Sequence, residues 1–247
     1  MHAATAPTTT EDMGRRHDRA ALAGSALAAA ALHAGPALCA CSPALRRALG
    51  VRDRVSDTRG VALTFDDGPH PRGTPATLAA LDTLGVRATF FLVGEQVRRA
   101  PVLAAEIVAA GHEVGVHGDR HRNLLRLTPT QVRDDLARAE ATIARATGRT
   151  PRLYRPPYGV LTCAGLVHAH RLGWEPLLWT RWGRDWRARA TPASIASDAT
   201  AHLSGREVIL LHDADHYSAP GSWQRTVAAL SPMIEAIDRA GLTVGSA

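Results

Sequence analysis

Val61-Ala62-Leu63-Thr64-Phe65-Asp66-Asp67-Gly68-Pro69 reads as a short apolar strand that runs into two adjacent carboxylates and then a Gly-Pro break. Side chains alternate faces along a strand, so two neighbouring Asp residues inside one would point to opposite sides. At the strand's end, where Gly68 and Pro69 release the chain from regular geometry, they can converge on one site. Asp-Asp-Gly-Pro is also ordinary turn chemistry. The choice between the two readings rests on what the rest of the chain supplies.

From Val61 onward strands alternate with helices. Further strands are expected at Val86–Val93, His112–Val116, Arg152–Arg155, Glu175–Thr180, Glu207–Leu211 and Leu242–Val244. Thr74-Pro75 predicts a helix start, with Thr74 as N-cap and Pro at the first helical position. One helix is expected to run from the second strand to about Ala110, stopping at Gly111. Thr128-Pro129-Thr130-Gln131 opens the clearest helix with a capping box, and Val132, Leu136, Ala139, Ile143 and Ala146 form its apolar stripe. Other helices are expected over about Thr162 to Leu172, from Thr191-Pro192, and over about Trp223 to Ala240. About seven short strands alternating with helices imply parallel pairing through right-handed crossovers. The predicted fold class is α/β, a deformed (β/α) barrel forming a single catalytic domain over 56–247.

Of the 247 residues, 45% are hydrophobic and 21% charged, the balance of an ordinary globular protein. The net charge of +6 comes entirely from Arg, since the chain contains no Lys. Arg is spread without blocks or interleaved aromatic platforms, so no nucleic-acid partner is expected. Cys39, Cys41 and Cys163 provide neither a disulfide framework nor zinc-ribbon spacing, and Cys163 is expected to be a small buried hydrophobe.

Residues 1–55 are read as a separate N-terminal segment. Its start is polar; an Ala/Leu-rich run from Ala20 to about Ala40 follows Arg15, Arg16 and Arg19; a basic linker covers Ser42 to Arg59. The run suits an export signal, with Met13 as an alternative start and Leu38-Cys39-Ala40-Cys41 resembling a lipobox that would lipidate Cys41. It equally suits an Ala-rich helix packed on the domain, and His33 and Gly35-Pro36 break it too early for a membrane span. Export to the cell envelope and cytoplasmic retention both stay open, and the protein is expected to be a monomer with no span in the catalytic domain.

In α/β barrels reactive groups sit at the C-terminal ends of strands. Here Asp66 and Asp67 end the first strand, and His117 ends the third with His121 just beyond. Arg155 ends the fourth strand, Asp185 follows the fifth, and His212 ends the sixth. Two His four positions apart can face one ion, and two His with one carboxylate make a zinc set that leaves a position open. Arg155 could hold a carboxylate. His212 could act as a general acid, its pKa raised by Asp185. The five Trp residues are expected to be mostly core, Trp186 being the one placed at a pocket wall.

Thr64-Phe65-Asp66-Asp67-Gly68, His117-x3-His121, Arg155-Pro-Pro-Tyr-Gly159, Asp185-Trp186 and Leu210-Leu211-His212 resemble, in order, the five motifs of the NodB-homology polysaccharide deacetylases (carbohydrate esterase family four). The similarity covers Val61 to Val244. It implies a deformed (β/α) barrel, a divalent metal, usually zinc, and hydrolysis of N-acetyl groups on a GlcNAc-containing polysaccharide. Asp67, His117 and His121 would bind the metal, and Asp66, held by Arg155, would be the base that activates water. The Tyr158 backbone N–H would face the oxyanion. His212, tuned by Asp185, would protonate the leaving amine, and Leu210 and Trp186 would enclose the acetyl methyl. The alternatives are an O-acetyl esterase on acetylated xylan, a small-amide deacylase, or a catalytically dead carbohydrate-binding relative. Two positions depart from the pattern: Gly118 stands where the second motif has Ser or Thr, and Trp182 where the fourth has a second Asp.

Overall fold

A computed structural model describes residues 24–247. The expectations that rest on Met13, Arg15, Arg16, Arg19 and Ala20 lie outside the described residues. Residues 24–34 are helical (α1) and mostly exposed, and a 3-10 turn, Gly35–Ala40, follows. Cys39 is buried against the main body, whereas Cys41 is exposed. After α2 (Pro43–Ala48), Val51 and Val55 are also buried. No helix among the described residues is long and apolar enough to cross a membrane.

The body is a curled, all-parallel sheet. In chain order its strands are β1 (Gly60–Asp66), β2 (Thr89–Leu92), β3 (Glu113–Val116), β4 (Leu153–Tyr154), β5 (Glu175–Pro176), β6 (Arg181–Trp182), β7 (Glu207–His212) and β8 (Thr243–Gly245). Seven of them run in the order β5-β4-β3-β2-β1-β7-β6, and β8 pairs with the beginning of β1. β1 is central and every residue in it is buried, because both faces of a parallel strand are covered. Pairing of β1 with β7 sets Asp66 level with His212.

The helices are α3 (Gly73–Thr83), α4 (Gly94–Arg99), α5 (Pro101–Ala109), α6 (Pro129–Thr147), α7 (Cys163–Arg171), α8 (Pro192–Thr200) and α9 (Ser222–Arg239). Helix α6 has the expected Thr128–Gln131 capping box and buries Val132, Leu136, Ala139 and Ile143. It packs on α4, α5 and α7, while α9 packs on α3 and α8.

Four local expectations are corrected. The helix expected up to Ala110 is two helices, because Pro101 cannot donate to a continuing ladder and Ala100 leaves helical geometry at φ −140°. Thr74 is not an N-cap. Its hydroxyl bonds the Asp213 carboxylate and accepts from the His70 N–H, and α3 begins at Gly73 with Arg72 in the N-cap position, two residues before the expected start. Cys163 is half-buried rather than core.

The fifth expected strand, Glu175–Thr180, is only Glu175–Pro176, and a further strand that was not expected, Arg181–Trp182, begins just past its predicted end. Glu175–Pro176 pairs with β4, and Arg181–Trp182 pairs with β7 at the other edge of the sheet. The intervening residues cross the open side of the barrel and leave carbonyls without ladder partners. Arg155 supplies them: Nε donates to the Leu177 carbonyl at 3.0 Å and an NH2 group to that of Leu178 at 3.2 Å.

Candidate active site

The two adjacent carboxylates do converge. Asp66 is the last residue of β1, and Asp67 turns into left-handed geometry at φ +79°, which swings its side chain back toward the same mouth. Asp tolerates that conformation better than most residues. The turn is pinned from below by Asp213, whose carboxylate lies so near Gly68 that a Cβ there would come within 2.6 Å of Oδ2.

The His117 N–H still bonds the Leu92 carbonyl, one step beyond β3. Its Nδ1 lies 2.8 Å from the Arg155 carbonyl. A carbonyl only accepts, so Nδ1 carries the proton and Nε2 is left with a free lone pair. Gly118 then turns the chain at φ +83°. A Cβ there would lie 3.2 Å from an Asp135 carboxylate oxygen, so the turn itself accounts for glycine at this departure from the motif. Buried Asp135 on α6 accepts the Asp119 N–H at 2.7 Å and steadies the loop that carries both imidazoles.

His117 Nε2 stands 3.5 Å, and His121 Nε2 3.3 Å, from Asp67 Oδ1. Among the described residues this is the one group of three such donors with all ligand atoms within 4.8 Å of one another. Tetrahedral ligands at ~2.0–2.1 Å from a cation are separated by about 3.3 Å. Asp67 Oδ1 is buried and has no hydrogen-bond partner in the protein, which leaves its lone pairs free for a cation. The three residues therefore fit a divalent cation. Burial alone would raise the Asp67 carboxyl. The surrounding imidazoles of His117, His212 and His121 outweigh it and hold the group down to about 2. Burial takes His121 down to about 4, a neutral imidazole able to act as a ligand.

Beside this group is a second pair of charges. Arg155 is wholly buried and donates to Asp66 Oδ1 at 2.8 Å and to Thr64 Oγ1 at 2.8 Å. Asp66 Oδ2 is thereby aimed at His117 Nε2, 3.7 Å away. On the far side Asp185, also wholly buried, accepts the His212 backbone N–H at 2.7 Å and faces His212 Nδ1 at 2.9 Å. The Thr226 hydroxyl donates to the same carboxylate at 2.8 Å. Burial disfavours the His212 cation, but the Asp185 charge and hydrogen bond, reinforced by Asp67 and Asp66, lift it to about 10. Its free Nε2 lies 3.9 Å from Asp67 Oδ2.

Asp66, Asp67, His117, His121 and His212 line one cavity of about 290 Å³, together with Tyr158, Trp186 and Leu210, while Arg155 and Asp185 support it from behind. Tyr158 sits at φ +62° in the Pro156–Gly159 turn. The expectation of one pocket Trp is corrected, because Trp179 and Trp182 share this wall with Trp186. Tyr217, from the loop after β7, was also missed. Its ring lies parallel to that of His121 at 4.3 Å, and its hydroxyl donates to Glu95 at 2.7 Å.

The polysaccharide deacetylase family model matches residues 53–176. A chitooligosaccharide deacetylase of Bradyrhizobium sp. (strain ANU 289) is 38% identical over 197 residues, spanning 77% of this chain and 90% of that protein. The chain belongs to the polysaccharide deacetylase family. Among solved structures, a peptidoglycan N-acetylglucosamine deacetylase in complex with 4-naphthalen-1-yl-N-oxidanyl-benzamide aligns with a TM-score of 0.76 and 28% identity. That alignment covers 83% of this chain and 94% of that one. A family pseudoenzyme from Bacillus anthracis aligns with a TM-score of 0.70 and 28% identity, over 78% of this chain and 66% of that one. The family fold thus carries both active and inactive members, and in this chain the five motif groups meet at one cavity.

Proposed function

We propose that the chain hydrolyses the N-acetyl groups of a GlcNAc polymer, of the chitin-oligosaccharide or peptidoglycan type, with zinc held by Asp67, His117 and His121. The observation that carries this is the buried Arg155–Asp66 pair facing the Asp67–His117–His121 group, with His212 across the same cavity. When bound, the cation polarises the acetamide carbonyl and makes water acidic enough to ionise near neutral pH.

Asp66 takes a proton from the attacking water as its oxygen bonds to the carbonyl carbon. Arg155 keeps the Asp66 carboxylate oriented for that transfer and balances its charge in a buried setting. The Tyr158 backbone N–H is the proposed donor to the developing oxyanion. His212, charged through Asp185, gives its Nε2 proton to the amide nitrogen as the C–N bond breaks. Acetate and a glucosamine unit leave. Leu210 and Trp186 form the apolar pocket for the methyl group. The same residues could act on an ester, and a pseudoenzyme would need none of the base, its orienter and the acid together.

Acetate release from N-acetylchitotetraose, peptidoglycan fragments and acetylxylan tests the proposal, with wild type against Asp66→Asn. Release from an N-acetylated glycan that falls by about 10²–10⁴-fold in Asp66→Asn is expected. Release from acetylxylan alone, or none from any substrate, would contradict it.

A further inference from the structure

We propose that Trp182, braced between Trp179 and Trp186, is a stacking platform for a second sugar ring, adjacent to the ring whose acetamide enters the cavity. This rests on the glycan reading above and extends it to a minimum substrate of two pyranoses.

The three indoles form a continuous wall. Trp186 stands edge-on to His212, with ring centroids 5.7 Å apart. Trp182 follows 5.5 Å beyond Trp186, and Trp179 is 6.1 Å from Trp182. Trp182 is therefore one ring-to-ring step outward from the indole beside His212, and it is 39% exposed where its two neighbours are half-buried. A β-linked pyranose makes a comparable step from one ring to the next. Its equatorial substituents leave an apolar C–H face that suits an aromatic plane, and covering an exposed indole removes apolar surface from water.

The ring is also held in place. Trp182 lies in β6, opposite Leu210 in the strand that delivers His212, and the next N–H, of Gly183, bonds the Leu210 carbonyl. Arg184, at φ +51°, sets its guanidinium 5.3 Å from the Trp182 ring centroid, and its Nε has no hydrogen-bond partner in the protein. A fixed aromatic surface loses little freedom on binding.

Trp182→Ala and Trp182→Phe would be compared with wild type on N-acetylchitotetraose and on a small aryl acetate. Calorimetric binding of the tetraose would be measured in the Asp66→Asn background. The tetraose KM and Kd should rise about five- to tenfold in Trp182→Ala, with kcat within about twofold, and Trp182→Phe should restore most of the loss. The fall in kcat/KM should be larger on the tetraose than on the aryl acetate. Equal falls on both substrates, an unchanged tetraose Kd, or no tetraose binding by wild type would overturn the platform. If wild type bound the tetraose without releasing acetate, the deacetylation reading would fail, and the Kd comparison alone would decide the platform.

Discussion

Two histidine–carboxylate groups face each other across the cavity, and they are finished to different degrees. In the His212–Asp185 pair both Asp185 oxygens are used, by the His212 ring, its backbone N–H and the Thr226 hydroxyl. In the Asp67–His117–His121 group, Asp67 Oδ1 and His121 Nδ1 are buried without hydrogen-bond partners. Burying polar atoms unpaired is costly, so the contrast separates a side built to hold a proton from a side built to receive a cation. The same difference appears in protonation, with His212 lifted to about 10 and His121 lowered to about 4.

Disturbing each side should give different signatures. Asp67→Ala removes the carboxylate shared by both imidazoles. We expect acetate release to fall by at least about 10³-fold with metal content lost in parallel. Retention of stoichiometric metal, measured by elemental analysis, would place the cation elsewhere.

Asp185→Asn acts on the other side and should leave metal content intact. Because Asp185 raises the His212 pKa, its loss lowers that pKa. His212 then loses its proton at lower pH, and the alkaline limb of the kcat/KM profile moves to lower pH. Activity at neutral pH should drop by about 100-fold. An alkaline limb that stayed in place would show that His212 is not the acid being titrated.

Gly118→Ala should have the smallest effect. A side chain at φ +83°, 3.2 Å from the Asp135 carboxylate, costs about 1–2 kcal/mol. Thermal unfolding should shift down by about 2–6 °C. No shift would mean that the turn carrying His117 and His121 is free to relax.

Much of the site was legible because its residues fall at strand ends, where hydrophobic runs meet polar residues: Asp66 after Phe65, His117 after Val116, His212 after Leu211. The Thr128 cap and the apolar stripe of α6 were legible because both are local. The break of one expected helix at Pro101 had a signal in the sequence that the apolar run around it concealed. The early end of the fifth strand at Pro176 and the separate strand Arg181–Trp182 had none, since which edge each joins depends on barrel closure and on Arg155 satisfying the carbonyls between them. Trp179 and Tyr217 reach the cavity from a crossing segment and a loop, and Trp182 from a two-residue strand, whose paths no periodicity encodes. Thr74 had every feature of an N-cap, but the buried Asp213 carboxylate took its hydroxyl instead.

The most direct measurement is metal content and acetate release for His212→Ala beside wild type, with N-acetylchitotetraose as substrate. The division of labour predicts one cation per chain in both proteins and a loss of turnover of about 10²–10⁴-fold in the variant. Loss of the cation together with turnover would contradict it, because His212 would then belong to the metal-binding side.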